Sequence, residues 1–154
     1  MAVESPTIQS PSTTDPLSQP LYGATFVQAV KRFFLKYATF SGRASRSELW
    51  WFVLASGIVT TIAYSIMMTG AAATTVAADG QVSYAPAYWI GTAIISAWGL
   101  ATLVPQLALY WRRLHDTNRS GAWYFIGFIP FVGAIILLVL VVLPDNPAGA
   151  RFDR

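Results

Sequence analysis

Three long, uncharged and apolar stretches most constrain what this chain can fold into. They cover about residues 49–69, 88–111 and 122–143, and none of them contains Asp, Glu, Lys or Arg. An α-helix rises about 1.5 Å per residue, so about 20 apolar residues cross the roughly 30 Å hydrocarbon core of a bilayer. Only 11% of the 154 residues are charged, whereas soluble domains carry about 25%. The sequence therefore predicts an all-α, polytopic membrane protein with three transmembrane helices.

Two segments are predicted before the first span. Residues 1–20 contain four prolines among many Ser and Thr residues, which is typical of a disordered tail. Residues 22–40 have helical periodicity, and a basic amphipathic helix beside a span is expected to lie in the membrane interface. An ordinary helix packed on a soluble core is the alternative. The apolar face consists of Phe26, Val27, Val30, Phe33, Phe34 and Tyr37, and the polar face of Gln28, Lys31, Arg32 and Lys36.

Turns and helix breakers divide the rest of the chain. Ser45 and Glu48 have the spacing of a capping box directly before the first span. Pro105 should kink the second span, and Pro130 interrupts the third, because proline lacks the backbone N–H that an α-helix uses. The predicted boundaries are a three-span membrane domain over 41–150, with a loop over 70–87 and a charged turn over 112–121, and a polar tail over 144–154.

Basic residues are distributed unevenly around the three predicted spans. Five precede the first span and three lie between the second and the third, so eight share one side of the membrane. The loop after the first span has none, and the C-terminal tail has two. Cytoplasmic loops carry the excess of Lys and Arg in membrane proteins. We therefore predict a cytoplasmic N-terminus and a C-terminus on the outer side.

Charged side chains that flank the first two spans are predicted to meet in one patch at the cytoplasmic surface. A carboxylate in such a patch can pair with arginine, in bidentate form where the geometry allows. One interpretation is a functional site. The other is that the arginines fix the topology and favour the helix dipole, while Glu48 caps a helix and Asp116 turns the chain. The candidate residues are Arg43, Arg46, Glu48, Arg112, Arg113, His115, Asp116 and Arg119.

Two motifs at these positions resemble a known family. Residues 41–51 have the sequence Ser-Gly-Arg-Ala-Ser-Arg-Ser-Glu-Leu-Trp-Trp, and residues 112–123 contain Arg-Arg-Leu-His-Asp followed by Ser-Gly and Trp. Together they resemble the bacterial inner-membrane family called domain of unknown function 805, over about residues 30–150. The ending of that family is matched loosely by residues 146–152. The resemblance implies a multi-pass protein of the bacterial plasma membrane, and it implies no particular activity.

The sequence predicts a non-catalytic interaction or accessory component that contacts the lipid bilayer and forms a homo-oligomer or joins a larger membrane complex. Small residues let transmembrane helices approach closely, although they could also simply pack the three spans together. The alternatives are a protein that binds anionic phospholipid head groups and one related to the transport of a solute or ion. The small residues are Gly57, Thr61 and Ser65 in the first span and Thr92, Ser96 and Gly99 in the second.

Enzymatic activity is not expected from this sequence. His115 and Asp116 are adjacent, but neither a nucleophile motif nor a phosphate-binding loop accompanies them. The chain has no cysteine and one histidine, which argues against a metal site. We therefore predict neither a cofactor nor a nucleic-acid partner.

Overall fold

The computed structural model describes residues 17–153, and this part of the chain is mainly helical. Its one departure from the predicted all-α fold is a short antiparallel hairpin of strands β1 (Thr75–Val76) and β2 (Val82–Ser83), within the predicted loop. The helices are α1 (Phe26–Leu35), α2 (Arg46–Ala72), α3 (Pro86–Asp116) and α4 (Val132–Val142), with two 3₁₀ segments at Gly121–Phe128 and Pro147–Phe152.

Helices α2 and α3 correspond to the first two predicted spans. Both are long and apolar enough to cross a membrane, so the first two predicted helices are confirmed by length and composition. The predicted capping box begins α2, since the Ser45 amide donates to the Glu48 carboxylate at 2.8 Å and the Glu48 amide donates to the Ser45 hydroxyl at 3.2 Å. Pro105 lies inside α3, which continues past it.

The two long helices approach closely through small residues. A Cβ atom built on Gly70 would overlap the backbone of Tyr88, and one built on Gly91 would overlap Met67. Ala63 is also buried at 1% exposure. Small side chains at these positions let the two backbones come together, as in other transmembrane helix pairs.

Helix α1 is shorter than the predicted helix over 22–40, and it packs on α2. Ala29 and Phe33 are buried, and the Phe33 ring stacks on Phe52 with 3.9 Å between centroids. Val27 and Leu35 remain exposed. The apolar face of α1 is therefore divided between contact with α2 and the surface, where a membrane interface could cover it.

The predicted disordered tail falls mainly on residues 1–16, which lie outside the described residues. The last residues of this predicted tail, 17–20, are described, and two of them accept hydrogen bonds from other parts of the chain. The carbonyl of Ser18 accepts a hydrogen bond from the Arg43 amide at 2.9 Å, and the carbonyl of Gln19 accepts one from the Arg32 guanidinium at 2.6 Å. These contacts fix the segment against the start of α2.

The predicted third span over 122–143 is not one helix. The chain forms the 3₁₀ segment Gly121–Phe128, reverses at Pro130 and Phe131, and returns as α4. Phe131 has a φ of +62°, which lies outside the right-handed helical region. Each arm is about 16 Å long, about half of what a span needs. Residues 121–143 are named the C-terminal hairpin.

Both ends of the C-terminal hairpin lie at the same end of α3. Arg113, in the last turn of α3, donates from Nε to the carbonyl of Val141 at 2.8 Å. Further along the chain, the carbonyl of Phe152 accepts a hydrogen bond from the Gly42 amide at 2.8 Å. The described C-terminal residues therefore lie beside the residues that precede α2. The chain therefore enters and leaves the hairpin at one end of the two long helices.

Candidate functional site

A cluster of charged and hydroxyl side chains lies where α2 begins and α3 ends. The two helices are antiparallel, so the partly positive N-terminus of one meets the partly negative C-terminus of the other. The described N-terminal segment and the C-terminal segment both fold over this end. The group is named the Asp116 cluster and consists of Tyr22, Arg43, Arg113, Asp116 and Asp153.

The Arg113–Asp116 pair is at the centre of the cluster. Both side chains have 0% exposure, and Nη1 of Arg113 donates to Oδ2 of Asp116. The other guanidinium nitrogens donate to the carbonyls of Val141 and Leu143. All three nitrogens of Arg113 are therefore used, and they bind the end of α4 to the end of α3. A buried charge pair is stable only when its remaining donors and acceptors are also satisfied, as they are here.

The second oxygen of Asp116 faces the two chain ends. The Tyr22 hydroxyl donates to Oδ1 at 2.9 Å, and Nη1 of Arg43 lies 3.8 Å from the same oxygen. Arg43 also forms a bidentate pair with Asp153, with Nε–Oδ1 at 2.9 Å and Nη2–Oδ2 at 2.6 Å. The hydrogen bonds to Asp153 raise the pKa of Arg43 above its usual value. Asp116 and Asp153 thus hold both described chain ends with charge-assisted hydrogen bonds.

Glu48 forms a second buried ion pair beside the cluster. It is 3% exposed, and its Oε1 accepts from Nε of Arg32 in α1. Its other oxygen accepts the Ser45 amide and, at 3.3 Å, the amide of Leu21. One carboxylate therefore caps α2 and also holds α1 and the segment before it. The sequence predicted the cap and an arginine partner, but Arg32 was not among the candidate site residues.

The remaining predicted arginines divide into buried and surface positions. Arg112 is 1% exposed, and its Nη1 donates to the carbonyls of Lys36 and Thr39, both at 3.1 Å, just after α1. Arg46 is exposed and Arg119 is half-buried, and neither takes part in the salt bridges of the described residues. Of the five candidate arginines, Arg112 and Arg113 are therefore internal, and the other three reach the surface.

His115 contacts the C-terminal segment rather than Asp116. Its ring stacks on Phe152 with 3.9 Å between centroids and an interplanar angle of 4°. Its Nδ1 lies 3.1 Å from the carbonyl oxygen of Gly42, and because a carbonyl only accepts, Nδ1 carries a proton. These contacts fit a histidine that positions residues 42 and 152, and they do not make a dyad with its neighbour in the sequence.

The sequence interpretation missed Tyr22 and Asp153. Neither belongs to a span or to the two motifs, since each lies in a segment assigned to an interfacial helix or a polar tail. An acidic residue between two arginines in that tail was the available signal for Asp153. No periodicity marked Tyr22 as a partner of a residue 94 positions away.

The Tyr22 contact predicts how stability depends on alkaline pH. Burial and then the hydrogen bond to Asp116 raise the pKa of Tyr22 from 10.0 to about 12. Because the unfolded chain loses this proton first, the stabilisation is complete below pH 10 and is lost as pH rises to 12. We expect Tyr22→Phe to flatten part of the fall in unfolding free energy over this window, measured by chemical denaturation in detergent. An unaltered slope in Tyr22→Phe would contradict the assignment.

Comparison with known proteins identifies the family. Residues 37–154 match the family described as protein of unknown function, DUF805. The chain belongs to this family. This DUF805 protein is 40% identical over 118 residues to inner membrane protein YhaI of Escherichia coli K12, which covers 77% of this chain and 86% of that protein. It is 31% identical over 116 residues to inner membrane protein YhaH of the same strain, which covers 75% of this chain and 85% of that protein. No solved structure matches.

The family and the inner-membrane character predicted from the two motifs are therefore confirmed. The DUF805 match begins at residue 37 and contains Arg43, Arg113, Asp116 and Asp153, whereas Tyr22 precedes it. Four of the five residues of the Asp116 cluster thus belong to the family region. The family description gives no reaction, so the function is argued from the structure.

Proposed function

We propose that this DUF805 protein is a non-catalytic interaction component of the bacterial inner membrane that packs against a second copy of itself. One observation carries the proposal. Gly57, Thr61 and Ser65, at helical spacing on α2, are all exposed on the surface of the chain. Within the described residues, no atom beyond the neighbouring backbone of α2 lies within 4 Å of a Cβ built on Gly57. Small residues on a transmembrane surface permit close packing by another helix, and a larger membrane complex is the alternative source of that helix.

The internal packing of the chain uses different small residues, which supports this proposal. Ala63 and the glycines at 70 and 91 mediate the contact between α2 and α3. Ser96 and Gly99 of α3 are exposed like the α2 face. The simpler interpretation, in which the small residues at 57, 61 and 65 pack the spans of one chain together, does not fit their exposure.

The arrangement of the Asp116 cluster favours a structural role over catalysis. Arg113 is occupied by one carboxylate and two carbonyls, and Arg43 by two carboxylates. Apart from the Arg113–Asp116 pair, which lies within the last turn of α3, each of these bonds joins segments that are distant in the sequence. We therefore propose that the cluster holds the two described chain ends and the C-terminal hairpin on the ends of the two long helices.

We also infer that the chain crosses the membrane twice and that the C-terminal hairpin enters and leaves from the same side. Its two arms are too short to cross the hydrocarbon core. The residues at its tip are strongly apolar and uncovered, with Phe128 at 75%, Phe131 at 90% and Val132 at 56% exposure. Such a tip is stable in lipid and unfavourable in water.

The charge distribution supports a cytoplasmic position for the Asp116 cluster. The loop at the other end of the two long helices, residues 73–85, contains no Lys or Arg. With two spans, every basic residue of the described chain falls at the cluster end, a stronger bias than three spans give. These residues are Lys31, Arg32, Lys36, Arg43, Arg46, Arg112, Arg113, Arg119 and Arg151.

Binding of anionic lipid head groups is a second candidate function. The candidate arginines that could bind them are the two that reach the surface and form no salt bridge with a described residue. Arg46 and Arg119 are free of salt bridges within the described chain, and a basic residue near an anionic membrane surface contributes about 1 kcal/mol. Transport of a solute or ion stays a prediction from the sequence alone.

Disulfide cross-linking tests the proposed association, because the chain has no cysteine of its own. We expect Thr61→Cys to cross-link between two copies in native membranes treated with a membrane-permeant oxidant, since this position is exposed on the small-residue face. The matched control is Ala63→Cys, two residues away and 1% exposed, which should stay uncross-linked between copies. Gly57→Leu, combined with Thr61→Cys, should reduce the cross-linked fraction about tenfold because the added side chain separates the helices.

Two results would count against association through this face. One is equal cross-linking at positions 61 and 63, which would indicate random collision. The other is a protein that stays monomeric by mass in mild detergent, with no cross-link at position 61 in membranes.

A further inference from the structure

A cavity of about 440 Å³, open to the surface, is lined by residues of the C-terminal hairpin and by Tyr110 of α3. This volume is within the range of sites that bind small molecules, about 300–1,000 Å³. Gly127 and Ala134 contribute little side-chain volume and leave the space open, and the other walls are mainly apolar. The lining residues are Tyr110, Tyr124, Gly127, Phe128, Ala134, Leu137, Leu138 and Val141.

Two tyrosines are the residues of this lining that carry a polar side-chain group. Tyr110 of α3 and Tyr124 of the hairpin are half-buried, with 5.7 Å between their ring centroids. Within the described part of the chain, neither hydroxyl has a hydrogen-bond partner. Tyrosine hydroxyls away from water usually find one. Each of the two hydroxyls can therefore donate a hydrogen bond to an acceptor that comes from outside the chain.

The cavity has a polar end near the Asp116 cluster and an apolar end near the hairpin tip. Tyr110 precedes Arg113 by three residues, or about 4.5 Å along the helix. Val141, whose carbonyl binds Arg113, lies at the same end. Ala134 is seven residues before Val141, two helical turns toward the tip. This arrangement suits an amphiphile whose hydrogen-bond acceptor lies near the tyrosines and whose hydrocarbon chain extends toward the hairpin tip.

We propose that this cavity binds one acyl chain of a cytoplasmic-leaflet phospholipid, whose ester carbonyl accepts a hydrogen bond from Tyr110 or Tyr124. The proposal rests on the inferred position of the C-terminal hairpin in the membrane. An acyl ester carries its carbonyl at the outer end of the chain, which matches the order of tyrosines and apolar walls. The depth also agrees, since the ester level lies just inside the head groups that face the arginines.

Comparing the binding of an ester lipid with that of an ether lipid distinguishes this site from nonspecific lipid binding around the protein. Delipidated protein is titrated with diester phosphatidylglycerol and with its diether analogue, which has the same head group and chains but lacks the carbonyls. We expect the wild type to bind the diester about fivefold more tightly, as one hydrogen bond provides, measured by native mass spectrometry. The double variant Tyr110→Phe/Tyr124→Phe should bind both lipids equally. Tyr64→Phe, at an exposed tyrosine outside the cavity, should keep the preference.

Filling the cavity is the second test. Ala134→Phe should reduce retention of both lipids about tenfold, because the added ring occupies the volume that the acyl chain needs. Ala97→Phe, on the exposed surface of α3, is the control for an added ring and should change nothing. If Ala134→Phe does not fold, the double variant Tyr110→Phe/Tyr124→Phe still tests the proposal. It removes only the two hydroxyls and keeps the rings that pack in the structure.

Three outcomes would overturn the proposal. They are equal binding of diester and diether lipids by the wild type, unchanged retention in a folded Ala134→Phe protein, and saturable binding of an added quinone with no binding of phospholipid. Cross-linking at position 61 is independent of this cavity. If the cross-link at position 61 is absent but the preference for the diester lipid is present, only the proposed association is refuted. If the cross-link is present but the lipid preference is absent, only the lipid site is refuted.

Discussion

Replacing Asp116 with asparagine is expected to lower the free energy of unfolding by about 3–5 kcal/mol. The Asp116 carboxylate and the Arg113 guanidinium both have 0% exposure, and arginine stays protonated in proteins. The substitution preserves the shape of the side chain but removes its charge, so a buried cation remains without a counter-ion. The Tyr22 hydroxyl and Arg43 lose the same charged acceptor.

This loss can be measured by thermal or denaturant unfolding in detergent micelles, followed by circular dichroism. Asp79→Asn is the matched control, because Asp79 lies in the exposed loop and its Oδ1 accepts only the nearby Gln81 amide among the described contacts. The control should stay within about 0.5 kcal/mol of the wild type. A loss below about 1 kcal/mol in Asp116→Asn would instead indicate a weak pair of the surface type, and the structural role of the cluster would be withdrawn.

The first two spans could be predicted from the sequence because their formation depends on residues that are close together in the chain. Helices α2 and α3 need only enough consecutive apolar residues to satisfy their backbone in lipid. The start of α2 was also local, since Ser45 and Glu48 are three residues apart and cap the same turn. Composition and short-range spacing are therefore enough to predict the positions of these two helices.

The sequence predicts one helix over residues 122–143, and the chain forms two short segments there instead. Composition alone does not distinguish a full span from a hairpin of half its length. Residues 122–143 have the length and apolarity of a span, and Pro130 was interpreted as an interruption rather than a reversal. The positive φ of Phe131 and the hydrogen bonds from Arg113 to the carbonyls of residues 141 and 143 decide the reversal. Those are tertiary contacts, which no periodicity encodes.

The sequence groups eight candidate side chains in one patch; the structure brings several of them together, and the central pair is buried rather than exposed. The motifs placed Arg43, Arg113 and Asp116 at one end of the helices, and the structure brings them together. Tyr22 and Asp153 complete the cluster from segments that have no regular pattern. Folding of these segments over the cluster buries the central charges, and no local pattern in the sequence indicates those contacts.

Cysteine labelling should separate two spans from three without ambiguity, because the wild-type chain contains no cysteine. We expect Ala148→Cys, in the exposed part of the C-terminal segment, to resist a charged maleimide in intact spheroplasts and to react after permeabilisation. Lys31→Cys, on the exposed surface of α1, should behave identically. Gln81→Cys, in the loop between the two spans, should react in intact spheroplasts. Reaction of positions 81 and 148 together in intact spheroplasts would restore the three-span topology.

The tip of the hairpin provides the most specific part of this experiment. Phe131 is 90% exposed on the protein surface, so a cysteine there would react readily if the hairpin lay in water. In the proposed topology the tip lies in hydrocarbon, where a thiolate does not form and a charged reagent does not enter. Phe131→Cys should therefore stay unlabelled from both sides and react only after the protein is unfolded in detergent. Labelling from the cytoplasmic side alone would place the hairpin outside the bilayer, and the lipid-facing cavity would lose its basis with it.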